Sequence, residues 1–407
     1  MDSHGKKNVL IIVENLPLPF DRRVWQEANT LADAGFGVFI ICPKGKDKYT
    51  EDFEEISGIK IFRHNLPLEA NGPIGYLAEY SSALYWEKKL TKKIHREYGI
   101  DVIQACNPPD LIHLVVRSFK RRYGIKFIFD HHDINPELYL AKFGKKDFFY
   151  KLLLYFEKRT FKMADHCIAT NESYKKIAVE RGGKDEQDIT VVRSGPSLER
   201  MYPVDRNESL KNGKKFLICY VGVIGQQEGI HYLLNAAKIL KEVRGNDTHF
   251  IIMGSGPEME NMRELSQKLK IDSVVDFPGR VSDEYLRQAL STSDICVNPD
   301  EYNEMNDKST MNKVMEYMAV GKPIVQFDLK EGRFSAGESS LYALPNDSKD
   351  MADKISFLLD NEEKRKYMGD YGIKRVREEL EWEYERGKYL SVYSDLLKVT
   401  INQNNQR

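Results

Sequence analysis

Long apolar runs are missing from this chain. The longest near the start, Val9 to Val13, is too short for a secretory leader. No run approaches the ~20 apolar residues that a spanning helix needs. The sequence therefore predicts a cytoplasmic protein, soluble or peripheral on the inner face of a membrane. Paired cysteines are missing too. Cys42, Cys106, Cys167, Cys219 and Cys296 lie far apart with no CxxC spacing, which argues against zinc ribbons and redox pairs. Buried free thiols are expected instead. A charge excess is also lacking: the net charge is −1 over 407 residues, so bulk electrostatics gives no support to a nucleic-acid role. The balance is uneven, however. Residues 1–200 carry 32 basic and 28 acidic side chains, and the remainder carries 29 and 34. The first half is better suited to an anionic surface or substrate.

What the chain does have is alternation. Short apolar runs such as NVLIIV (8–13), GVFIIC (37–42), DVIQAC (101–106) and KFIFD (126–130) alternate with amphipathic helical runs. This pattern predicts a parallel sheet with helices on both faces. A polar stretch at 194–215 interrupts it, and then the alternation restarts with FLICYVG. The predicted organisation is α/β, with two doubly wound Rossmann-like domains facing across a cleft. Residues 1–196 form the first domain and 197–215 a linker. Residues 216–384 form the second, and a last helix at about 385–407 packs back on the first. Ligands in such sheets bind beyond the carboxyl ends of the strands, so function should sit in strand-to-helix loops.

The most informative loop is NDKSTMNKVMEYMAVGKPIV (306–325). Asp307, Ser309 and Thr310 are capping residue types before a helix expected from about 310 to 319. Met311, Val314, Met315 and Met318 make its buried stripe, and Ser309, Asn312, Lys313 and Glu316 a polar one. A helix start after a strand attracts phosphate, and Lys308 and Lys313 add charge there. Glu316 could accept hydrogen bonds from vicinal hydroxyls. A plain capped helix with a Lys313–Glu316 pair on a solvated face fits the pattern equally well.

Other candidate loops share this placement. In GVIGQQEG (222–229), Gly222 and Gly225 permit close approach of a ligand, or else a tight turn. Gly254 lies in a similar turn, GSGP. In FDHHD (129–133), His132 and Asp133 begin a loop, and adjacent histidines on a strand point apart and chelate poorly. In LPLPFDRRVW, Asp21 is a natural cap, while Arg22 and Arg23 oppose the helix dipole unless they meet an anion. No Asp-x-Asp lies near these loops.

The segment 299–325 resembles the donor-site segment of retaining glycosyltransferases of family 4, which have the GT-B fold. So do segments 15–45, 129–137, 220–237, 251–258 and 275–286, in the same order. The resemblance implies that Glu316 grips the nucleotide ribose. The family's preceding Glu falls on Lys308, with Asp307 adjacent as a substitute. It implies that Arg280 and Val281 line the nucleobase pocket and that His132 and Asp133 lie near the transferred sugar. Asp21, Arg22 and Arg23 fall on the acceptor side. The cations that the family places in the 222–229 loop are missing, and Lys308, Lys313 or Arg280 could replace them. The implied activity is transfer of a hexosyl unit from a nucleotide-diphosphate sugar, UDP before GDP, without metal or cofactor. The acceptor would be a glycan or lipid-linked glycan of a cell-surface polysaccharide. A sugar-nucleotide epimerase or a non-catalytic binding protein on the same fold remains the alternative. Membrane contact is expected from residues 138–163 and from helix 77–98, where Tyr80, Tyr85 and Trp86 accompany Lys88, Lys89, Lys92 and Lys93.

Overall fold

The computed structural model describes residues 6–45, 47–66, 72–108 and 110–400, and only the backbone of 72–80, so the side chain of Tyr80 lies outside the described residues. The chain divides into two compact units, Met1–Arg193 with Glu385–Arg407, and Ser194–Tyr384.

The first unit holds β1 (Asn8–Ile12), β2 (Gly37–Pro43), β3 (Phe53–Ile56), β4 (Ile59–His64), β5 (Val102–Cys106), β6 (Lys126–His131), β7 (His166–Ala169) and β8 (Ile189–Val191). They form one sheet in the order β3-β4-β2-β1-β5-β6-β7-β8. All neighbours are parallel except β3, which pairs antiparallel with β4. The alternation in the sequence does not announce β3. Its residues FEEI are half polar, and it forms because Ser57 and Gly58 both take positive φ and close a hairpin. Central strands are buried on both faces, as Val9, Leu10, Ile11 and Ile12 are, each burial worth roughly 1.5–3 kcal/mol. The chain winds outward from β1 to β4 and then returns to lay β5 beside β1, so the switch point lies between β1 and β5.

The second unit repeats the plan with β9 (Phe216–Val221), β10 (Thr248–Met253), β11 (Val275–Gly279), β12 (Ile295–Asn298), β13 (Ile324–Phe327) and β14 (Ser340–Ala343). Its sheet is wholly parallel, in the order β11-β10-β9-β12-β13-β14. Its switch point lies between β9 and β12. The polar stretch after Arg193 is not bare connection. Met201 is fully buried, and Glu208–Lys211 forms a turn of 3-10 helix. All five cysteines are free and buried. Among the described residues no helix is long and apolar enough to cross a membrane.

Candidate active site

In the first unit the loops after β5 and β6 meet at the switch point. Strand alternation sends His131 and His132 to opposite sides. His131 is fully buried between Phe129, Phe161 and Tyr174. His132 shares a side with Asp130, and its Nε2 lies 2.8 Å from Asp130 Oδ2. Arg23 Nε stands 2.9 Å from the same Nε2. Both cannot use one nitrogen as donor and acceptor at once. Burial pulls the His132 pKa down, but the Asp130 carboxylate outweighs it and the net shift is upward. Nε2 is thus placed to accept from Arg23 in the neutral ring and to donate to Asp130 in the charged one, and Arg23 Nε also stands 3.0 Å from Glu27 Oε1.

The helix Arg22–Asp33 begins as its cap residue dictates: the Asp21 side chain accepts from the Val24 amide at 3.1 Å. Arg23 then points inward. Its NH2 lies 3.3 Å from Asp130 Oδ1 and its NH1 donates to the Val192 carbonyl at 2.9 Å. Arg23, expected on the acceptor side, is thus held by groups of the protein itself. The anion that offsets its conflict with the helix dipole is built into the protein. Arg22 stays exposed at the helix start.

Four residues of metal-ligating type converge here: Glu27, Cys106, Asp130 and His132 offer ligand atoms within 4.8 Å of one another. Their negative charge is already met by Arg23, which bridges both carboxylates, so a metal ion would have to expel a buried guanidinium.

Asn107, directly after β5, holds the His132–Asp133 turn. Its Oδ1 accepts from the amides of His132 (2.7 Å) and Asp133 (3.1 Å), and its Nδ2 donates to the Asp133 carbonyl (2.6 Å). Burial raises the Asp133 pKa, against the pull of His132 and His131. Asn107 and the buried Gln104, Glu27 and Asp130 were not singled out from the sequence. A signal existed for two of them. Glu27 falls on the apolar stripe of Val24, Ala28 and Leu31, and Gln104 interrupts an apolar strand.

In the second unit the loop segment 306–325 folds differently from expectation. It makes two helices, Glu304–Lys308 and Asn312–Ala319. The longer one starts after Met311, whose side chain makes no capping bond. Ser309 instead ends the short helix and donates to the Met305 carbonyl at 2.7 Å. Thr310 lies between the helices and caps neither. Asp307 accepts from the Lys330 amide at 2.8 Å, and Lys308 pairs with Glu304 at 3.2 Å. Ser309 therefore serves the preceding turn, and Asp307 the start of the helix at Lys330.

Lys313 and Glu316 do not pair with each other. Lys313 Nζ reaches Asp300 Oδ1 at 2.7 Å, beyond β12, and sits 4.9 Å from the Tyr220 ring, on β9. Burial lowers the pKa of this ammonium, but Asp300 overrides it and keeps the group charged. A Cβ placed on Gly222 would lie 2.5 Å from the Tyr220 hydroxyl and 3.4 Å from Lys313 Cε. Lys313 is thus set against the glycine loop at the switch point. Gly254, at φ +139°, has no room for a Cβ against the Gly222 carbonyl, and a Cβ on Gly225 would stand 2.5 Å from Glu228 Oε2. The chain's own close approach accounts for these glycines.

Glu316 Oε1 accepts from Arg200 NH1 at 2.8 Å, and the same guanidinium reaches Asp283 at 3.1 Å. Asp283 opens a helix just after Arg280 and Val281, where Ser282 is the cap. Arg280 is exposed and Val281 packs on the core. Arg200 thereby ties the 280–283 turn to Glu316, and nothing in its polar stretch of sequence marked it. Tyr317, next to Glu316, is fully buried and its hydroxyl accepts from the Val221 amide at 2.9 Å. Asn298, at the end of β12, is buried with neither amide atom bonded.

Comparison with known proteins agrees with this architecture. Residues 21–200 match the family described as Glycosyltransferase Family 4, and residues 202–375 match Glycosyl transferases group 1. An N,N'-diacetylbacillosaminyl-diphospho-undecaprenol alpha-1,3-N-acetylgalactosaminyltransferase of Campylobacter jejuni is 25% identical over 350 residues, covering 83% of this chain and 85% of its own. Sucrose-phosphate synthase from Thermosynechococcus elongatus superposes with a TM-score of 0.79 at 20% identity, over 97% of this chain and 100% of that one. Anabaena HepE, solved in complex with UDP-glucose, gives 0.72 at 14% identity, over 95% and 99%. The chain is a glycosyltransferase of the GT-B fold and belongs with the family 4 enzymes.

Proposed function

We propose that this enzyme transfers a hexosyl unit, with retention and without a metal ion, from a UDP-sugar to a lipid-linked glycan acceptor in cell-surface polysaccharide biosynthesis. The observation that carries the reading is Lys313: a buried ammonium held against the glycine loop at the switch point, one helical turn from Glu316. A departing nucleoside diphosphate gains negative charge, and a preorganised cation beside the amide-rich start of Asn312–Ala319 stabilises it. This compensates for the cations absent from the 222–229 loop. Glu316, oriented by Arg200 through Oε1, meets the ribose hydroxyls. His132, oriented by Asp130, polarises the sugar or acceptor. Similarity to HepE, crystallised with UDP-glucose, favours uridine, and the undecaprenol-linked substrate in the name of the Campylobacter relative favours a lipid-linked acceptor.

Docking on an anionic bilayer accompanies this reading. The helices Asn135–Phe143 and Phe148–Met163 expose Phe143, Phe148 (71%), Phe149 and Tyr155 (54%) among Lys142, Lys145, Lys146, Lys151, Lys158 and Arg159. Aromatic rings rimmed by cations suit a headgroup boundary. A second reading, an epimerase or a binding protein, draws on Lys308, where the family places a Glu, and on the adjacent Asp307, whose carboxylate is engaged by the Lys330 amide.

The test is a thermal-shift screen of UDP, GDP and their sugars, followed by Lys313→Met. Stabilisation by UDP-sugars that is lost in the variant supports the donor site. Equal stabilisation of the variant removes it. A new glycosidic bond in the product supports transfer, and a C2 epimer supports the second reading.

A further inference from the structure

Behind His132 lies a chain of buried polar groups that ends on the last helix, Trp382–Leu397. Gln104, on β5, is fully buried at its centre. Its Nε2 donates to Glu27 Oε2 at 2.8 Å and to Asp130 Oδ2 at 2.9 Å, the same oxygen that takes His132. Its Oε1 accepts from the Tyr389 hydroxyl at 2.7 Å and from the Tyr393 hydroxyl. The two hydroxyls lie 3.1 Å apart, and both rings are fully buried.

An amide has a donor end and an acceptor end, and reversing it exchanges them. The reverse orientation would press Oε1 against two carboxylates. Two phenol donors on one side and two carboxylates on the other leave a single orientation. Such a network is worth keeping only when every member is satisfied, because an unmet buried group costs about 1–3 kcal/mol. Four elements contribute to it: the helix Arg22–Asp33, β5, β6 and the last helix.

We infer that Gln104, Glu27, Tyr389 and Tyr393 are positioning residues for His132: the last helix fixes the amide of Gln104, and the amide fixes the two carboxylates that orient and charge the imidazole. The inference rests on the placement of His132 at the reacting sugar. The charged and titratable groups around the ring are Arg23 and Glu27 from the first helix, Cys106 from β5, and Asp130 and Asp133 from β6 and its loop. Burial and the nearby Asp130 raise the Glu27 pKa to about 8, so the protonation of Glu27 and that of His132 depend on each other.

The experiment follows the ring itself. The full chain is labelled with [13C]histidine, the His132 signal is assigned by its loss in His132→Asn, and its titration is recorded. Glu27→Gln removes a group that ionises near pH 8 and then favours the imidazolium, so the His132 midpoint should fall, most clearly in the alkaline limb of its titration. Tyr389→Phe with Tyr393→Phe keeps both rings, frees the amide and leaves Asp130 less well bonded. The midpoint should then rise by a few tenths of a unit. The pH profile of kcat on the sugar nucleotide found by the screen should move the same way, with KM within about twofold. Folded variants with an unmoved His132 midpoint would overturn the inference. A midpoint that moves while the kcat profile stays put keeps the wiring and overturns the role given to His132 above.

Discussion

The two switch points solve the same problem in opposite ways. In the first unit, charges are buried and cross-linked: Arg23 touches two carboxylates, Asp130 touches Arg23, His132, Gln104 and Cys106, and Asn107 clamps the backbone beside them. In the second unit the ion pairs at the switch point are smaller. Lys313 holds Asp300, and Arg200 holds Glu316 and Asp283. A network with many partners keeps its geometry and resists rearrangement. A smaller set of pairs can open for a ligand of the right charge. This contrast fits a first unit that orients and a second unit that grips and releases a nucleotide.

The contrast can be broken most directly at Asp130. Asp130→Asn leaves Arg23 and His132 buried with less compensation, and denaturant unfolding should show a loss of about 3–5 kcal/mol. A loss under 1 kcal/mol would mean that the network is no more rigid than the second unit's pairs. Glu316→Ala should leave the fold intact and weaken UDP binding by ~1–3 kcal/mol in calorimetry. Unchanged affinity would remove the gripping role. A pH test sharpens the picture of the first unit. Glu87 is wholly buried, neither oxygen is bonded, and burial alone raises its pKa to about 8. A carboxyl raised in the folded state contributes stability below its unfolded pKa and loses it as pH rises towards 8. Glu27 acts in the same direction. Glu87→Gln should therefore recover on the order of 1–3 kcal/mol at pH 8 relative to pH 5, read from paired melting curves. An equal effect at both pH values would sink the assignment. The smallest effect is expected at Tyr317→Phe, which leaves the Val221 amide without its acceptor and should cost about 1 kcal/mol in stability, the ring packing being kept.

The fold was legible because its strands are buried on both faces and so read as plain apolar runs. β3 was not, since an edge strand with a polar face leaves no such run. At the site, residues at loop starts were legible: Asp21 as a cap, and His132 and Asp133 at the end of β6. Lys313 was legible as a cation but not as the partner of Asp300. The helix start was misplaced because Asp307, Ser309 and Thr310 compete as caps, and Ser309 spends its bond on the turn before while Asp307 accepts from the distant Lys330 amide. Arg200 and Asn107 were invisible because their roles depend on residues far away in sequence, Glu316 and Asp283 for one, His132 and Asp133 for the other.

Arg200 has a consequence for how the second unit works. In the donor-site reading proposed above, the carboxylate that meets the pentose already carries a resident counterion, so loading a nucleotide is an exchange rather than an addition. Part of the binding enthalpy is spent on loosening the resident, which keeps occupancy readily reversible. Added salt should loosen lock and ligand together. The measured affinity should then vary less with ionic strength than it would in a seat left open.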